Sequence, residues 1–323
     1  HGDDLPEARR LLVHQREAAA AEGRRSRTAM AACWLAEVAA RAGDPRAVAD
    51  VFDGVDSCEV VHAAGIIHPA RVSDFERVNA VGSEVVVSQA LRSGLRRFVH
   101  ISSNSAIGTN PTPDEAFRDR EPYHPYLGYG ASKMRGELAV GEALEAVGVP
   151  GVILRPPWFY GRFQPARQAR FLQTVRTGRF PLIGDGGNRR SMVDVDRLAM
   201  AAWLALRADT DGVRPYWIAD AQPYTMNEIL EAVRQAARLE GLPVKDGALR
   251  LPAIAGRVAY RVDAGLQRLG RYQQEIHVAG ELDKTIACQV EGAVQELGFE
   301  PATDLVDGMR RSYRWGRENG QDV

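Results

Sequence analysis

Between residues 58 and 156, short apolar runs alternate with segments in which apolar residues recur at helical spacing. The apolar runs span residues 58–65, 97–103 and 151–156. They predict strands covered on both faces, as in a parallel sheet. The helical segments cover 79–93, with Val81, Val85 and Leu91 facing inward, and the residues after Tyr129, with Met134, Leu138, Leu144 and Val147 on one face. This order predicts an α/β fold, a doubly wound, Rossmann-like parallel sheet with right-handed crossovers.

Beyond Gly161 the apolar pattern is looser. It predicts helices near 165–177, 196–207, 226–240 and 303–316, and a strand at 215–219. We therefore expect a dinucleotide-binding domain over 1–160 and a smaller mixed substrate domain over 161–323, with parts of 190–220 returning to the main sheet. In such a fold, ligands bind at the carboxyl ends of the strands.

The composition and charge of the chain argue against several classes of protein. The chain of 323 residues carries 41 basic and 42 acidic side chains, a formal net charge of −1. This balance gives no electrostatic reason to expect a nucleic-acid or membrane-surface partner. Three cysteines are too few for a disulfide framework, and no apolar run reaches the roughly 20 residues that a membrane helix needs. We expect a cytoplasmic protein that acts on a small molecule.

The scattered histidines His62, His100 and His124 have no carboxylate at metal-ligand spacing, so the sequence predicts no metal site.

The residues best suited to catalysis are Ser103, Tyr129 and Lys133. Tyr129 and Lys133 are four residues apart at the start of a predicted helix and share one face. A tyrosine is a poor base at neutral pH because its pKa is about 10, so nearly all of it is protonated. A nearby ammonium stabilises the phenolate and lowers that pKa. A serine at the end of the preceding strand completes an acid/base device for hydride chemistry. The plain alternative is a helix start with an exposed lysine.

Two rival residues stand close to this set. Tyr126 has no lysine four residues on, and Ser102 directly precedes Ser103.

In this context the chain resembles the extended short-chain dehydrogenases/reductases of the NAD-dependent epimerase/dehydratase family, which includes the UDP-glucose 4-epimerase-like proteins. The stretches that carry the resemblance lie in the family's order over about residues 43–316. They are residues 61–65, 79–82, 98–103, 129–133, 154–156, 183–190, 193–196 and 296–299, with Gly308 and Trp315.

The resemblance implies roles for individual residues. Tyr129 would be the acid/base, Lys133 would bind the nicotinamide ribose and lower the tyrosine pKa, and Ser103 would be the catalytic serine. The other positions that match cofactor contacts are Asp44 (adenine), Ala63, Ala64, Gly65, Asn79 and Pro156 (nicotinamide). The implied cofactor is NAD, with NADP as the alternative.

For the substrate, Arg190 matches an arginine that pairs with the diphosphate of a nucleotide-sugar, a task suited to a guanidinium fork. A surface salt bridge is the competing interpretation. Trp158 stands where sugar-nucleotide epimerases usually carry a substrate-contacting asparagine, which keeps a hydroxysteroid-like or ketone substrate open. Asn104 and Ser105 stand where the sugar dehydratases have an Asp-Glu pair, which disfavours dehydration.

The amino-terminal part departs most from the family. Residues 1–50 are rich in Ala and Arg and contain only Gly2, Gly23 and Gly43, so the Gly-x-x-Gly-x-x-Gly turn that meets the pyrophosphate is missing. Either this first unit has been lost or rebuilt, or the sequence does not begin at the native start. Dinucleotide affinity is expected to be weakened.

The sequence thus favours an NAD(P)-dependent epimerase, an isomerase acting on a nucleotide-sugar, with a hydroxysteroid-dehydrogenase-like enzyme or ketoreductase as the alternative. A non-catalytic relative with impaired cofactor binding is the third possibility. The resemblance also implies a possible homodimer.

Overall fold

The computed structural model describes residues 45–323, so Gly43 and Asp44, which the resemblance places at the adenine, lie outside the described residues. The described chain separates into two compact units. One holds residues up to 107 together with 125–155 and 205–215. The other holds residues 108–124, 156–204 and 216–323.

A four-stranded sheet forms the centre of the first unit. Its strand order is β1 (Cys58–His62), β2 (Leu95–Ile101), β3 (Gly151–Arg155) and β8 (Val213–Trp217). The first two neighbouring pairs are parallel, with His62 opposite His100 and His100 opposite Ile153. The predicted doubly wound α/β fold is therefore confirmed.

Three helical segments cover this sheet. They are α1 (Pro45–Phe52), α2 (Gly82–Arg92), which follows a short turn (Ser73–Phe75) and a π-helical turn (Glu76–Val81), and α3 (Leu127–Glu145). Apolar side chains from α1, α2, α3 and the strands pack into one core. The core includes Val48, Val60, Val86, Val87, Phe98, Val140 and Leu144.

The inward faces predicted for two helices were wrong in part. On α3, Leu144 is buried as predicted, but Leu138 and Val147 are exposed. The buried face instead carries Lys133 and Glu137, because a polar face can be buried when its charges are paired. Of the residues predicted to face inward near α2, Val81 is exposed, whereas Val85 and Leu91 are partly buried against the core. The fully buried residues of α2 are Gly82, Ser83, Val86, Val87 and Ala90.

The second unit contains short paired strands and most of the remaining helices. Its strand pairs are β4 (Trp158–Tyr160) with β7 (Met192–Asp194), β5 (Pro181–Ile183) with β10 (Leu249–Leu251), and β6 (Arg189–Arg190) with β9 (Tyr224–Thr225). Its helices are α4 (Ala166–Arg176), α5 (Val195–Arg207), whose last three residues belong to the first unit, α6 (Met226–Leu239), α7 (Ile254–Arg268), α8 (Gln274–Glu281), α9 (Glu291–Leu297) and α10 (Leu305–Glu318).

Side-chain caps mark the start of two of these helices. Asp194 accepts the backbone N–H of Asp196 at 2.8 Å and so caps α5. Thr225 and Glu228 form a reciprocal capping box at the start of α6. The sequence did not predict α7, α8 or α9.

The arginines of α10 have specific partners. Arg310, Arg314 and Arg317 all bind the carboxylate of Glu240 at the end of α6. Arg311 binds the buried Asp194 at 2.6 Å. These contacts join α10 to α6 and to β7. Over residues 45–323, no helix combines the length and apolar character needed to cross a membrane.

A glycine substitution can test how β2 begins. Gly94 has φ +67°, and a Cβ there would lie 2.2 Å from the carbonyl oxygen of Asp56. Gly148 follows α3 with φ +69°, and nothing lies within 4 Å of its Cβ position. We expect Gly148→Ala to cost about 1–2 kcal/mol through backbone strain alone.

Gly94→Ala should cost a further ~1–3 kcal/mol, because the loop carrying Asp56 must also move. Urea unfolding of both variants measures this difference. Equal losses in the two variants would contradict the proposed close contact.

Candidate functional site

Ser103 lies directly after β2 and caps a short 3₁₀ turn (Asn104–Ala106). Its backbone is extended, with φ −162°, and its Oγ accepts the N–H of Ser105 at 3.2 Å. The Ser103 hydroxyl lies 3.4 Å from two acceptors, Asn104 Oδ1 and Ser105 Oγ. Both contacts are long, so a substrate oxygen could take their place as the acceptor of its proton. The rival Ser102 is also buried, and its Oγ has no hydrogen-bond partner among the described residues.

The first turns of α3 carry Tyr129 and Lys133. Tyr129 is half-buried, and its ring lies 5.8 Å from that of Phe75. Lys133 is buried, and its Nζ donates to the carbonyl oxygen of Ile101 at 2.9 Å. The ammonium is therefore held by Ile101, the last residue of β2, which precedes Ser103 by two residues. Lys133 is therefore not exposed, as it would be if residues 129–133 were only the start of a surface helix.

Gly130 brings the start of α3 against the Ser103 turn. The carbonyl oxygen of Ser105 accepts the N–H of Tyr126 at 3.0 Å, and a Cβ at Gly130 would lie 2.2 Å from that oxygen. Only a residue without a side chain fits at this distance. The glycine beside Tyr129 therefore sets the approach of the tyrosine helix to the serine turn.

Asn79 lies in the π-helical turn, and such turns are frequent at functional sites. Its side chain links three segments of this unit. Its Oδ1 accepts the N–H of Ile66 at 2.8 Å. Its Nδ2 donates to the Ile66 carbonyl oxygen and to Ser132 Oγ, each at 3.0 Å. Ser132 in turn donates to the Tyr129 carbonyl oxygen at 2.7 Å. The loop after β1 and the first turn of α3 are thereby fixed to each other.

The loop after β1 contributes small residues to the same place. A Cβ at Gly65 would lie 3.4 Å from Asn79 Oδ1 and 3.8 Å from Lys133 Nζ. The backbone of this loop thus lies next to the ammonium with no side chain between them. Ala64 is buried and Ala63 is exposed.

The electrostatic setting of Lys133 is unusual for a lysine. Burial lowers its pKa to about 8, and the Glu137 carboxylate acts in the opposite direction. Glu137 is itself buried and binds Arg155, at the end of β3, with a shortest distance of 2.6 Å. The lysine keeps most of its charge at neutral pH and can stabilise a nearby phenolate.

Two histidines that the sequence presented as scattered lie together near this lysine. The rings of His62 and His100 stack with centroids 5.3 Å apart, as the parallel register of β1 and β2 requires. Burial, and then the Lys133 ammonium, lower the pKa of His62 to about 3. The same causes lower the pKa of His100. Both imidazoles are therefore neutral. Residues 45–323 contain no cluster of three or more metal-ligating side chains.

Trp158 and Arg190 lie in the second unit. The Trp158 Nε1–H donates to Gln168 Oε1 at 3.0 Å, and its ring packs on Phe171 with centroids 4.7 Å apart. The Arg190 guanidinium lies 5.9 Å from the Trp158 ring centre. It donates to the carbonyl oxygen of Glu281 at 3.1 Å and is 8% exposed, so it is not a surface ion pair.

Pro156 is buried and begins the 156–204 segment of the second unit. Sequence patterns gave no signal for Gln168, Gly130 or Ser132, since amide, glycine and hydroxyl contacts depend on the three-dimensional approach. The pairing of His62 with His100 follows from strand register, which could be inferred once both strands were aligned.

A buried carboxyl group lies elsewhere in the second unit. Asp220 Oδ2 accepts the hydroxyls of Tyr160 at 2.8 Å and Tyr224 at 3.2 Å. Its Oδ1 has no hydrogen-bond partner among the described residues. Burial raises the pKa of Asp220 to about 7, although the two tyrosine hydrogen bonds act in the opposite direction.

Comparison with known proteins gives a family match and several similar proteins. A family model described as "NAD dependent epimerase/dehydratase family" matches residues 8–219. The uncharacterized protein y4nL of Sinorhizobium fredii is 44% identical over 275 residues, which cover 83% of this chain and 76% of that protein. The 2-alkyl-3-oxoalkanoate reductase of Stenotrophomonas maltophilia is 28% identical over 83% of this chain and 82% of its own.

Among solved structures, a double mutant of DesIV, a dTDP-glucose 4,6-dehydratase from Streptomyces venezuelae with NAD and DAU bound, has the same fold. The TM-score is 0.65 at 24% identity, over 86% of this chain and 78% of that one.

The contact between α3 and the serine turn can be tested with two glycines of one helix. Nothing lies within 4 Å of the Cβ position of Gly141. Because alanine favours helix, Gly141→Ala should raise the free energy of unfolding by about 0.5–1 kcal/mol. Gly130→Ala should lower it by about 1–3 kcal/mol, since the new methyl group meets the Ser105 carbonyl oxygen. Denaturant unfolding gives both values, and a stabilised Gly130→Ala protein contradicts the close approach.

Asp220 should make stability depend on pH. Its folded-state pKa of about 7 lies above the ordinary value of 3.8, so between these values the folded protein holds a proton that the unfolded chain releases. Its contribution is greatest below about pH 4 and falls as the pH rises to about 7.

Asp220→Asn removes this dependence, so the variant should gain on the order of 3–4 kcal/mol relative to the parent protein between pH 4 and pH 8. Urea unfolding at several pH values measures the gain. Asp246→Asn, which changes an exposed carboxylate, serves as the control. A gain that is equal at every pH would contradict the assignment.

Proposed function

Because the chain belongs to the NAD-dependent epimerase/dehydratase family, whose members are enzymes, we propose that it binds NAD and moves a hydride to or from a hydroxyl-bearing substrate, with Tyr129 as the acid/base. The observation that carries this proposal is the buried, charged Lys133 one helical turn from the half-buried Tyr129. The Ser103 turn packed against the same helix supports it.

The residues of the first unit suit the nicotinamide end of the cofactor. The backbone at Gly65 passes beside Asn79 and Lys133 and leaves no side chain in the way, as a dinucleotide contact requires. The residues that would hold NAD are Ala63, Ala64, Gly65, Asn79, Tyr129, Lys133 and Pro156. Asp44, proposed for the adenine, precedes the described residues. NADP is the alternative cofactor.

The proposed chemistry divides the work among three side chains. When bound, NAD supplies the hydride acceptor or donor. The Tyr129 phenolate, stabilised by the Lys133 ammonium, takes the proton of the substrate hydroxyl and becomes the neutral phenol. The Ser103 hydroxyl, oriented by the N–H of Ser105, donates to the substrate oxygen. In the reverse direction the same tyrosine returns the proton.

For the substrate, a nucleotide-sugar is our first proposal, with Arg190 for the diphosphate and Trp158 against the sugar. The enzyme would then be an epimerase, an isomerase with no net redox change. Asn104 and Ser105 provide no acid/base pair for elimination, which speaks against dehydration.

A ketoreductase is the second candidate. It is favoured by the similarity to the 2-alkyl-3-oxoalkanoate reductase and by Trp158, which offers an apolar surface. The homodimer and the cytoplasmic location implied earlier stay predictions.

Tyr129→Phe removes only the phenolic hydroxyl. We expect turnover to fall by about 10²–10⁴-fold, because a positioned acid/base typically contributes that much. The control is Tyr126→Phe at the rival, buried tyrosine, which should keep its turnover. The measurement is initial rate with reduced or oxidised nicotinamide and candidate substrates. Full activity in Tyr129→Phe would remove the proposed role.

The cofactor is tested separately by thermal unfolding with NAD or NADP. A ligand that binds only the folded state raises the melting temperature, and the stabilisation grows with the logarithm of the ratio of ligand concentration to Kd. No rise with either dinucleotide at millimolar concentration would favour the non-catalytic alternative. Net accumulation of reduced or oxidised nicotinamide during turnover identifies a dehydrogenase or ketoreductase, and its absence identifies an epimerase.

A further inference from the structure

The first unit contains an ion pair that is almost fully buried on both sides. The Glu137 side chain is 0% exposed and the Arg155 side chain 3%. Arg155 Nε lies 3.1 Å from both carboxylate oxygens, and its Nη2 lies 2.6 Å from Oε2. This fork-like arrangement fixes the orientation of the carboxylate. Since breaking a buried pair is costly, the pair is also firmly held.

The position of this pair relates it to Lys133. Glu137 follows Lys133 by four residues on α3, so the two side chains share the buried face of the helix. Arg155 approaches from the end of β3, the strand beside β2, whose Ile101 carbonyl oxygen accepts from the Lys133 ammonium. The lysine and its nearest acidic neighbour on the helix are thus held by adjacent strands.

The ammonium needs such a neighbour. Lys133 has left water, and a desolvated amine favours its neutral form. Two buried imidazoles, His62 on β1 and His100 on β2, are close enough to feel its charge but carry none themselves. Among these groups Glu137 is the one that favours the charged lysine. A buried carboxylate needs a paired charge, and Arg155 supplies it at 2.6 Å.

We propose that Glu137 and Arg155 are positioning residues that keep Lys133 protonated and in place beside Tyr129. Neither needs to touch substrate or cofactor. The arginine holds the carboxylate, the carboxylate holds the charge of the ammonium, and the ammonium acidifies the tyrosine. This inference rests on the proposed function only in the last step, because the first two concern the charge of Lys133 in the protein alone.

The lysine content of the chain allows a direct measurement. The chain has only three lysines, Lys133, Lys245 and Lys284. In protein labelled with ¹³C-lysine, NMR therefore shows three Cε signals, and Lys245→Arg and Lys284→Arg identify the other two. The Lys133 signal should titrate at about 8 in the parent protein. This titration requires neither cofactor nor substrate.

Three variants separate charge from folding. Glu137→Gln removes the negative charge and should lower the Lys133 midpoint by about 1 unit or more. The double variant Glu137→Gln with Arg155→Gln leaves no unpaired buried charge and should recover stability, yet its midpoint should stay below that of the parent. Arg155→Lys keeps both charges and should keep the Lys133 midpoint, and its spectrum shows a fourth Cε signal from the new side chain.

A matched control is available at the start of the same helix. Arg135 forms an exposed ion pair with Glu76. Glu76→Gln is the same chemical change as Glu137→Gln and should leave the Lys133 midpoint unchanged. In assays with an active substrate, the high-pH limb of kcat/KM should move to lower pH by the same amount as the NMR midpoint.

The outcomes distinguish this inference from the proposed function. Midpoints in both the Glu137→Gln protein and the double variant that equal the parent value would overturn the positioning role, even if NAD binds and Tyr129→Phe is inactive. A lowered midpoint in both variants supports the role, even if neither dinucleotide raises the melting temperature. If Glu137→Gln does not fold, the double variant and Arg155→Lys decide.

Discussion

The site depends on a lysine ammonium kept inside the protein. Lys133 is held by one strand carbonyl oxygen, is close to two neutral imidazoles and is balanced by one carboxylate. Removing an ammonium from water is costly, so the carbonyl oxygen and the carboxylate have to be in place for the charge to persist. The carboxylate, the arginine that pairs with it and the small residues around the amine are consequences of that single requirement.

Helix α3 meets this requirement by reversing the usual arrangement of a surface helix. Its outward face carries Leu138, whereas its inward face carries Lys133 and Glu137 among Val140 and Leu144. Glycines at the crowded positions let the helix backbone approach the Ser103 turn and the π-helical turn closely. The polar groups can then reach main-chain partners directly, and the helix serves as the frame on which the proposed chemistry is arranged.

The sequence predicted the order of strands and the helices at 165–177, 196–207, 226–240 and 303–316, because apolar periodicity is a local property. It could not predict the inward face of α3, since hydrophobicity alone does not reveal that Glu137 would find Arg155 across 18 residues.

The Tyr-x-x-x-Lys spacing indicated Tyr129 and Lys133, because four residues make one helical turn. Asn79 came from the resemblance, and its link to Ser132 became evident only when the loop after β1 was placed beside α3. Contacts between distant segments leave no periodic pattern in the sequence, so the sequence alone did not predict them.

The π-helical turn at Glu76–Val81 has a consequence for how this chain can vary in length. It contains one residue more per turn than an α-helix would, and it separates Phe75, which contacts the Tyr129 ring, from Ser83, which contacts His62. Deleting one residue there would rotate everything on one side by about 100° relative to the other. Phe75 and Ser83 could then no longer face their partners together, so a change in residue number in this stretch would separate two contacts at once.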